Sequence, residues 1–208
     1  LFAQAEGVLA PGNLVLLYAG MVIIKSLHEI GHALTCRHYG GEVHILGVML
    51  LVFTPLPYMD ATSSWSFRSR RERALVGADG MVTELFIAAL AVFVWAATGP
   101  GVLHSLAYNM MFVASVSTII FNANPLLKFD GYYILSDLAD LPNLYTRARR
   151  QWAYLFERYL YGVKQAVRVA DSDREAQWLT VYGVASGAYR VLVFAGIILF
   201  VADKYLLL

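Results

Sequence analysis

The chain has 208 residues, of which 59% are hydrophobic and only 15% are charged, and its mean hydropathy is +0.57. Soluble domains carry about 25% charged residues, so this chain has too little polar surface to cover a water-soluble globule. Its apolar content also excludes disorder. The net charge of +1 argues against a nucleic-acid ligand, and the single cysteine, Cys36, excludes an internal disulfide. A membrane protein with several spans is therefore predicted.

Four windows are apolar over about the 20 residues that a membrane span needs. They lie at about 14–35, 75–98, 102–121 and 179–201. A fifth apolar run, at 43–58, is short for a span and is broken by prolines, so we predict a short re-entrant or β-hairpin segment there. The predicted fold class is an all-α polytopic membrane protein with about four transmembrane helices and this segment after the first.

Basic residues cluster in two segments, 68–73 and 147–174, whereas the connection at 99–101 carries no charge. The positive-inside tendency places both basic segments in the cytoplasm and the 99–101 connection outside. Aromatic residues alternate with cations over about 145–170, which predicts an amphipathic helix at the interface of an anionic leaflet. We interpret 1–208 as a single membrane-embedded core, and because it begins at Leu1 we expect it to be a fragment of a longer protein.

The sequence His-Glu-Ile-Gly-His at 28–32 is the strongest chemical signal. On a helix, His28 and His32 share a face and can bind one metal ion, while Glu29 can act as general base toward a metal-activated water. Zinc suits this chemistry because it lowers the pKa of bound water and polarises a carbonyl. Ionisable residues inside a span are costly and therefore indicate function.

Catalytic zinc has three protein ligands and an open position, so one ligand is missing. The candidates are His38, His44, Asp60, Glu84, His104 and Asp130. Asp130 follows the third span on the same side of the membrane as the histidine pair, whereas His104 opens that span on the far side. Pro125 breaks the helix and Gly131 permits a tight bend, so a carboxylate between them can reach the first span. We predict Asp130 as the third ligand.

The motif HEIGH, followed by NANPLLKFDGYYILSD at 122–137, resembles the site-2 protease family of intramembrane zinc metalloproteases. Within that family the chain is most similar to the bacterial peptide zinc metalloprotease subgroup, over about 14–145. The resemblance implies that His28, His32 and Asp130 bind Zn²⁺, that Glu29 activates water, and that Asn124 contacts the substrate. Asn122 and Asn124 can equally cap the broken helix.

Two features depart from the family pattern. The connection at 99–101 is too short for the periplasmic PDZ module of many site-2 proteases, and Phe129 stands where leucine is common.

Three other polar residues each have two possible interpretations. Glu84 and Arg190 can pair across the helix bundle or line a water path. Asp60 can be a gating carboxylate near the site or a solvated interfacial residue.

These observations predict an intramembrane zinc metalloendopeptidase that hydrolyses peptide bonds in or near the bilayer through a zinc-activated water. The segment 43–58 can offer a strand edge to an extended membrane-associated peptide or protein substrate. The resemblance implies a multi-pass protein of the bacterial inner (cell) membrane, with an export-system adaptor as partner, and the charge pattern puts the active site toward the cytoplasm. The alternatives are a non-catalytic zinc-containing membrane subunit anchoring an export system or periplasmic adaptor, and a transporter.

Overall fold

The computed structural model describes residues 10–51 and 54–205. The described chain is mostly helical, with one two-stranded antiparallel sheet. The helices are α1 (Leu14–His38), α2 (Arg70–Ala97), α3 (Val102–Val116), α4 (Asp130–Leu138), α5 (Leu144–Leu155) and α6 (Asp173–Tyr205), and the strands between α1 and α2 are β1 (Leu46–Leu51) and β2 (Thr54–Met59). Short 3₁₀ turns cover Pro11–Asn13 and Thr62–Ser66, and π-helical turns extend α3 over Ser117–Asn122 and α5 over Phe156–Leu160.

Within the described residues, four helical segments are long and apolar enough to cross a membrane. They are Leu14–His38, Arg70–Ala97, Val102–Asn122 and Asp173–Asp203. Each predicted window coincides with one of these helices. The second begins ahead of the predicted boundary because Ser69 caps it: the Ser69 hydroxyl accepts a hydrogen bond from the Glu72 N–H at 3.4 Å.

The described residues form two compact units, divided between Leu138 and Ala139. The core of the first unit lies where α1, α2 and α3 meet, and it contains Ile24, Ala88 and Ala114. Small residues at this point allow the helix backbones to approach closely. In a membrane, helices associate through such close packing, because lipid is as apolar as the helix surfaces and the hydrophobic effect does not drive them together.

The end of α3 is the feature that positions Asp130. The π turn is closed by a 2.7 Å hydrogen bond from the Ala123 N–H to the Thr118 carbonyl, and Pro125 follows within an irregular connection. A Cβ on Gly131 would lie 2.6 Å from the Ala123 carbonyl oxygen. Only glycine fits this contact, so the first turn of α4 is held against the end of α3 with Asp130 at its start.

The predicted segment at 43–58 forms a β-hairpin, whose residues 52–53 lie outside the described part. Its register runs from Leu46 opposite Met59 to Leu51 opposite Thr54. The Asp60 N–H donates to the Ile45 carbonyl at 3.1 Å, so even-numbered residues of β2 bond to β1 and odd-numbered ones face the other way. That outer edge of β2 lies along α1, because the Tyr18 hydroxyl donates to the Pro55 carbonyl at 2.9 Å.

In the second unit, α5 packs against α6. Leu144 and Leu179 are fully buried between them, and the Trp152 indole donates to the Thr180 carbonyl at 3.1 Å. The helix predicted over 145–170 is shorter than expected: its helical turns end at Leu160. Gly162 follows with a φ of 68°, a left-handed conformation that glycine adopts readily and that ends the helix.

Candidate metal centre

His28 and His32 lie one turn apart on the buried face of α1. Their Nε2 atoms are 2.9 Å from each other, and the two rings meet edge to face with centroids 4.5 Å apart. Two ring nitrogens that point at one position in this way are placed to act together as ligands. The i, i+4 spacing of the sequence therefore produces the predicted pair.

Asp130 joins the pair from the first residue of α4. Its Oδ2 lies 3.2 Å from His28 Nε2 and its Oδ1 lies 3.6 Å from His32 Nε2. One ligand atom from each of the three residues falls within 4.8 Å of the others. His28 and His32 are buried, and the Asp130 side chain is 21% exposed. The structure thus brings together the three residues predicted as metal ligands.

Two observations show that this cluster fits a zinc ion. The buried Asp130 Oδ2 makes no hydrogen bond, although it lies close to His28, so it has a lone pair directed at the cluster. A Cβ on Gly80 of α2 would lie 2.4 Å from His32 Nε2 and 2.7 Å from His28 Nε2, so this glycine leaves space beside both ring nitrogens. Two imidazoles and one carboxylate are a donor set that catalytic zinc uses, with its fourth position open.

The other nitrogen of each ring faces α2. His32 Nδ1 lies 2.6 Å from the Val76 carbonyl, which can only accept, so Nδ1 carries the proton and Nε2 keeps a lone pair. His28 Nδ1 lies 3.2 Å from Glu84 Oε1, at ion-pair distance but without hydrogen-bond geometry. Metal-binding histidines commonly have such a carbonyl or carboxylate behind them, and it fixes the orientation of the ring.

Val76, Gly80 and Glu84 follow one another at intervals of four residues and so form one stripe of α2. Val76 lies behind His32, Gly80 lies beside both Nε2 atoms, and Glu84 lies behind His28. This role of α2 is not among the expectations from sequence. A glutamate four residues after a glycine inside an apolar span was the signal that could have indicated it.

Glu84 is fully buried and is held by three donors. Lys25 Nζ lies 2.7 Å from Oε1, and Thr118 Oγ1 and Asn122 Nδ2 donate to Oε2, the latter at 3.2 Å. Lys25 also donates to Ser117 Oγ at 2.6 Å. Two of the three donors to Glu84, Thr118 and Asn122, come from the π turn after α3, so the local irregularity supplies polar contacts that a buried carboxylate requires.

A pairing of Glu84 with Arg190 was one interpretation of the sequence, but in the structure each of these residues has a different partner. Glu84 pairs with Lys25. Arg190 donates to the Tyr145 hydroxyl and lies over the Tyr145 ring. Because any residue of α2 can face several neighbouring helices, the sequence could identify a buried charge that needs a partner but not the partner itself.

Glu29 is half-buried, on the turn of α1 that carries the histidines. The backbone N–H of Met59, at the end of β2, lies near its carboxylate. Met59 is odd-numbered and so belongs to the outer edge of β2. Because the other two outward positions of this edge are Pro55 and Pro57, which have no N–H, Met59 supplies the donor there. The end of the hairpin therefore lies beside the predicted general base.

The remaining candidate ligands lie elsewhere. His44 is an exposed residue that pairs with Glu42 at 2.7 Å, and His104 lies 3.0 Å from the Thr98 carbonyl. His38 is exposed at the end of α1. The backbone N–H and the side chain of Thr62 hydrogen-bond to Asp60 and hold the pKa of this carboxyl below its usual value.

The two asparagines after α3 have different contacts. Asn122 is buried and donates to Glu84, so it belongs to the network behind His28. Asn124 is half-buried, and its side-chain oxygen accepts from the Leu126 N–H at 2.9 Å, which forms an Asx turn. Leu126 lies in the irregular connection between the two helices, so this contact closes a turn and does not cap a helix.

No family model matches this chain, and no curated protein matches it. Among solved structures, the chain is similar to the site-2 protease from Methanocaldococcus jannaschii, with 16% sequence identity and a TM-score of 0.43. The similarity covers 83% of this chain and 76% of the archaeal one. The function proposed below depends on the geometry of the cluster and not on this likeness.

Proposed function

We propose that the protein is an intramembrane zinc metalloendopeptidase that cleaves peptide bonds in or near the bilayer. One observation supports this most: two histidines of α1 and Asp130 of α4 converge within 4.8 Å, and Glu29 lies on the same helical turn. The cluster is on helices long and apolar enough to cross a membrane. Because charged and titratable groups are costly there, such an arrangement indicates function rather than packing.

His28, His32 and Asp130 would hold the ion, which when bound would make water acidic and polarise a peptide carbonyl. Glu29 takes a proton from the attacking water while the oxygen of that water bonds to the peptide carbonyl carbon. The same carboxyl group then gives that proton to the peptide nitrogen as the carbon–nitrogen bond breaks. The Met59 N–H lies near the Glu29 carboxylate, at the side of the cluster where the hairpin ends.

The substrate must be locally extended, since carbonyls in a helix are already hydrogen-bonded. We place it beside the outer edge of β2, where Met59 meets Glu29. The Pro55 carbonyl already accepts from Tyr18, so the Pro57 carbonyl is the acceptor that this edge offers, and a bound peptide would supply the donor to it. The proposed substrate is therefore a membrane-associated peptide or protein segment that can unwind at the scissile bond.

The cellular setting is also a proposal. The arginines at 68–73 and those at 147–174 support a cytoplasmic location for both segments. The histidine pair lies toward the end of α1 that leads to the first of these segments, so the active site faces the cytoplasmic side of a bacterial inner membrane. An export-system adaptor is the proposed protein partner, from the subgroup resemblance.

Metal analysis of the purified full chain tests the ligand set. We expect one zinc per chain, and Asp130→Ala should lower the zinc content as His28→Ala does. His104→Ala is the control and should keep the zinc, because His104 contacts Thr98 instead. Full occupancy in Asp130→Ala, together with loss of zinc in His44→Ala or Asp60→Ala, would show that the third ligand is misassigned.

A further inference from the structure

The second unit contains a cavity of about 280 Å³ between α5 and α6. Its walls include Tyr145, Arg149 and Trp152 of α5 and Gly183, Ser186 and Arg190 of α6. The volume is just below the usual range of small-ligand sites, which is about 300–1,000 Å³. The cavity is therefore suited to a headgroup-sized ligand rather than to a protein segment.

Two guanidinium groups meet at this cavity. Arg190 lies on a helix long and apolar enough to cross a membrane, and its guanidinium carbon is 4.2 Å from the centre of the Tyr145 ring. Arg149 lies 6.0 Å from the centre of the same ring. Neither arginine forms an ion pair with a carboxylate among the described residues. Two cations at one aromatic ring create a site that attracts an anion.

The walls of the cavity are fixed by packing. A Cβ on Gly183 would lie 2.4 Å from Trp152 Cδ1, so the indole rests directly on the α6 backbone. The indole N–H also donates to the Thr180 carbonyl, which holds the ring in place. At the other end, Arg190 donates to the Tyr145 hydroxyl. A preformed site of this kind loses little conformational freedom when a ligand binds.

We propose that this cavity binds the phosphate of an anionic phospholipid, with Arg149 and Arg190 as its ligands. Arginine matches phosphate oxygens in a bidentate geometry and is less strongly hydrated than lysine, so it suits a half-buried phosphate site.

The surface next to the cavity indicates the source of the phosphate. Before Arg190, α5 covers one side of α6, whereas after it α6 exposes Val191, Leu192 and Phe194, whose exposed fractions are 70%, 69% and 63%. We therefore place the headgroup level at Arg190, so that the part of α6 in the hydrocarbon begins there, inside the predicted window 179–201. A lipid bound through its phosphate can lay its acyl chains on this apolar surface, whereas a soluble phosphate gains nothing from it. Trp152 and Tyr145 are residue types that occur where lipid headgroups meet the hydrocarbon.

Native mass spectrometry of the full chain in detergent tests this proposal. The chain is titrated with phosphatidylglycerol, with phosphatidylcholine, and with inorganic phosphate. We expect phosphatidylglycerol to bind at least tenfold more tightly than phosphatidylcholine. Arg190→Gln and Arg149→Gln should each weaken binding of phosphatidylglycerol about tenfold, the scale of one charge-assisted hydrogen bond. Arg150→Gln is the matched control, an exposed arginine of the same helix outside the cavity walls, and should change binding less than twofold.

Three results would overturn the assignment. Equal binding of the two lipids would exclude recognition of an anionic headgroup, and displacement of phosphatidylglycerol by millimolar inorganic phosphate would indicate a soluble ligand. An equal loss in Arg149→Gln and Arg150→Gln would show a diffuse surface charge instead of this cavity. Because Arg190→Gln can disturb the packing of Tyr145, Arg149→Gln, at an exposed position, decides the outcome if the first variant fails to fold.

Discussion

Glu84→Gln is the substitution that most sharply tests how α2 supports the metal centre. The glutamine keeps the size of the side chain and one acceptor oxygen, but it removes the negative charge that lies 2.7 Å from Lys25 and 3.2 Å from His28 Nδ1. Groups that orient a metal-binding histidine contribute about 10–100-fold to metal affinity. We expect zinc affinity to fall by about tenfold, the lower end of this range, since the amide keeps a polar group behind His28 Nδ1 in place of the charge.

The same substitution should also destabilise the protein, for a different reason. Lys25 loses its counter-ion while its side chain is only 21% exposed. Removing one partner of a buried ion pair costs about 3–5 kcal/mol, and we expect the lower end, about 3 kcal/mol, because Lys25 retains some contact with solvent. Unfolding in mixed detergent micelles measures this change, and competition with a chromophoric chelator measures zinc affinity.

A double variant separates the two effects. Lys25→Met combined with Glu84→Gln removes the unpaired charge, so stability should return to near the wild-type value while zinc affinity stays low. Asp137→Asn is the control for loss of an ion pair: it removes the charge that pairs with Arg73 at 2.6 Å and should lower stability without changing zinc affinity. Recovery of zinc affinity in the double variant would refute the orienting role of Glu84.

Two further predictions concern the space beside the histidines and the orientation of the chain. Gly80→Ala should abolish zinc binding, because the new Cβ would lie 2.4 Å from His32 Nε2. Gly196→Ala is the control: its new Cβ would have nothing within 4 Å, so zinc binding should be unchanged. Zinc retained by Gly80→Ala would contradict the proposed position of the ion. Labelling of introduced cysteines should place Arg70 and Arg150 in the cytoplasm and Pro100 outside, and a cytoplasmic Pro100 would reverse the orientation.

The convergence of His28, His32 and Asp130 was predictable from sequence because local geometry largely determines it. His28 and His32 need only a helix to share a face, and α1 is helical throughout. Asp130 needed one more inference, that Pro125 and Gly131 turn the chain back after α3. The structure gives the physical basis of that turn in the contact between Gly131 and the Ala123 carbonyl.

The contacts around the ligands were not predictable, because they depend on which helix faces meet. The stripe of α2 that contains Val76, Gly80 and Glu84 lies in an apolar window whose periodicity gives no preferred face. The π turn at 117–122 likewise has no sequence signature, although it brings Thr118 and Asn122 onto Glu84. These features come from tertiary packing, which the linear pattern of residues does not contain.

Cleavage by the Glu29→Gln variant tests the central proposal most directly. Glutamine keeps the shape of the side chain but cannot take a proton from water, so the variant should insert, bind one zinc and lose cleavage of a co-expressed membrane-anchored peptide. The expected loss is about 10²–10⁴-fold, the usual contribution of a general base. If the zinc-loaded Glu29→Gln variant cleaved the peptide as fast as the wild type, the role of Glu29 would be contradicted. If the zinc-loaded wild type cleaved no candidate peptide, a non-catalytic membrane subunit would be favoured.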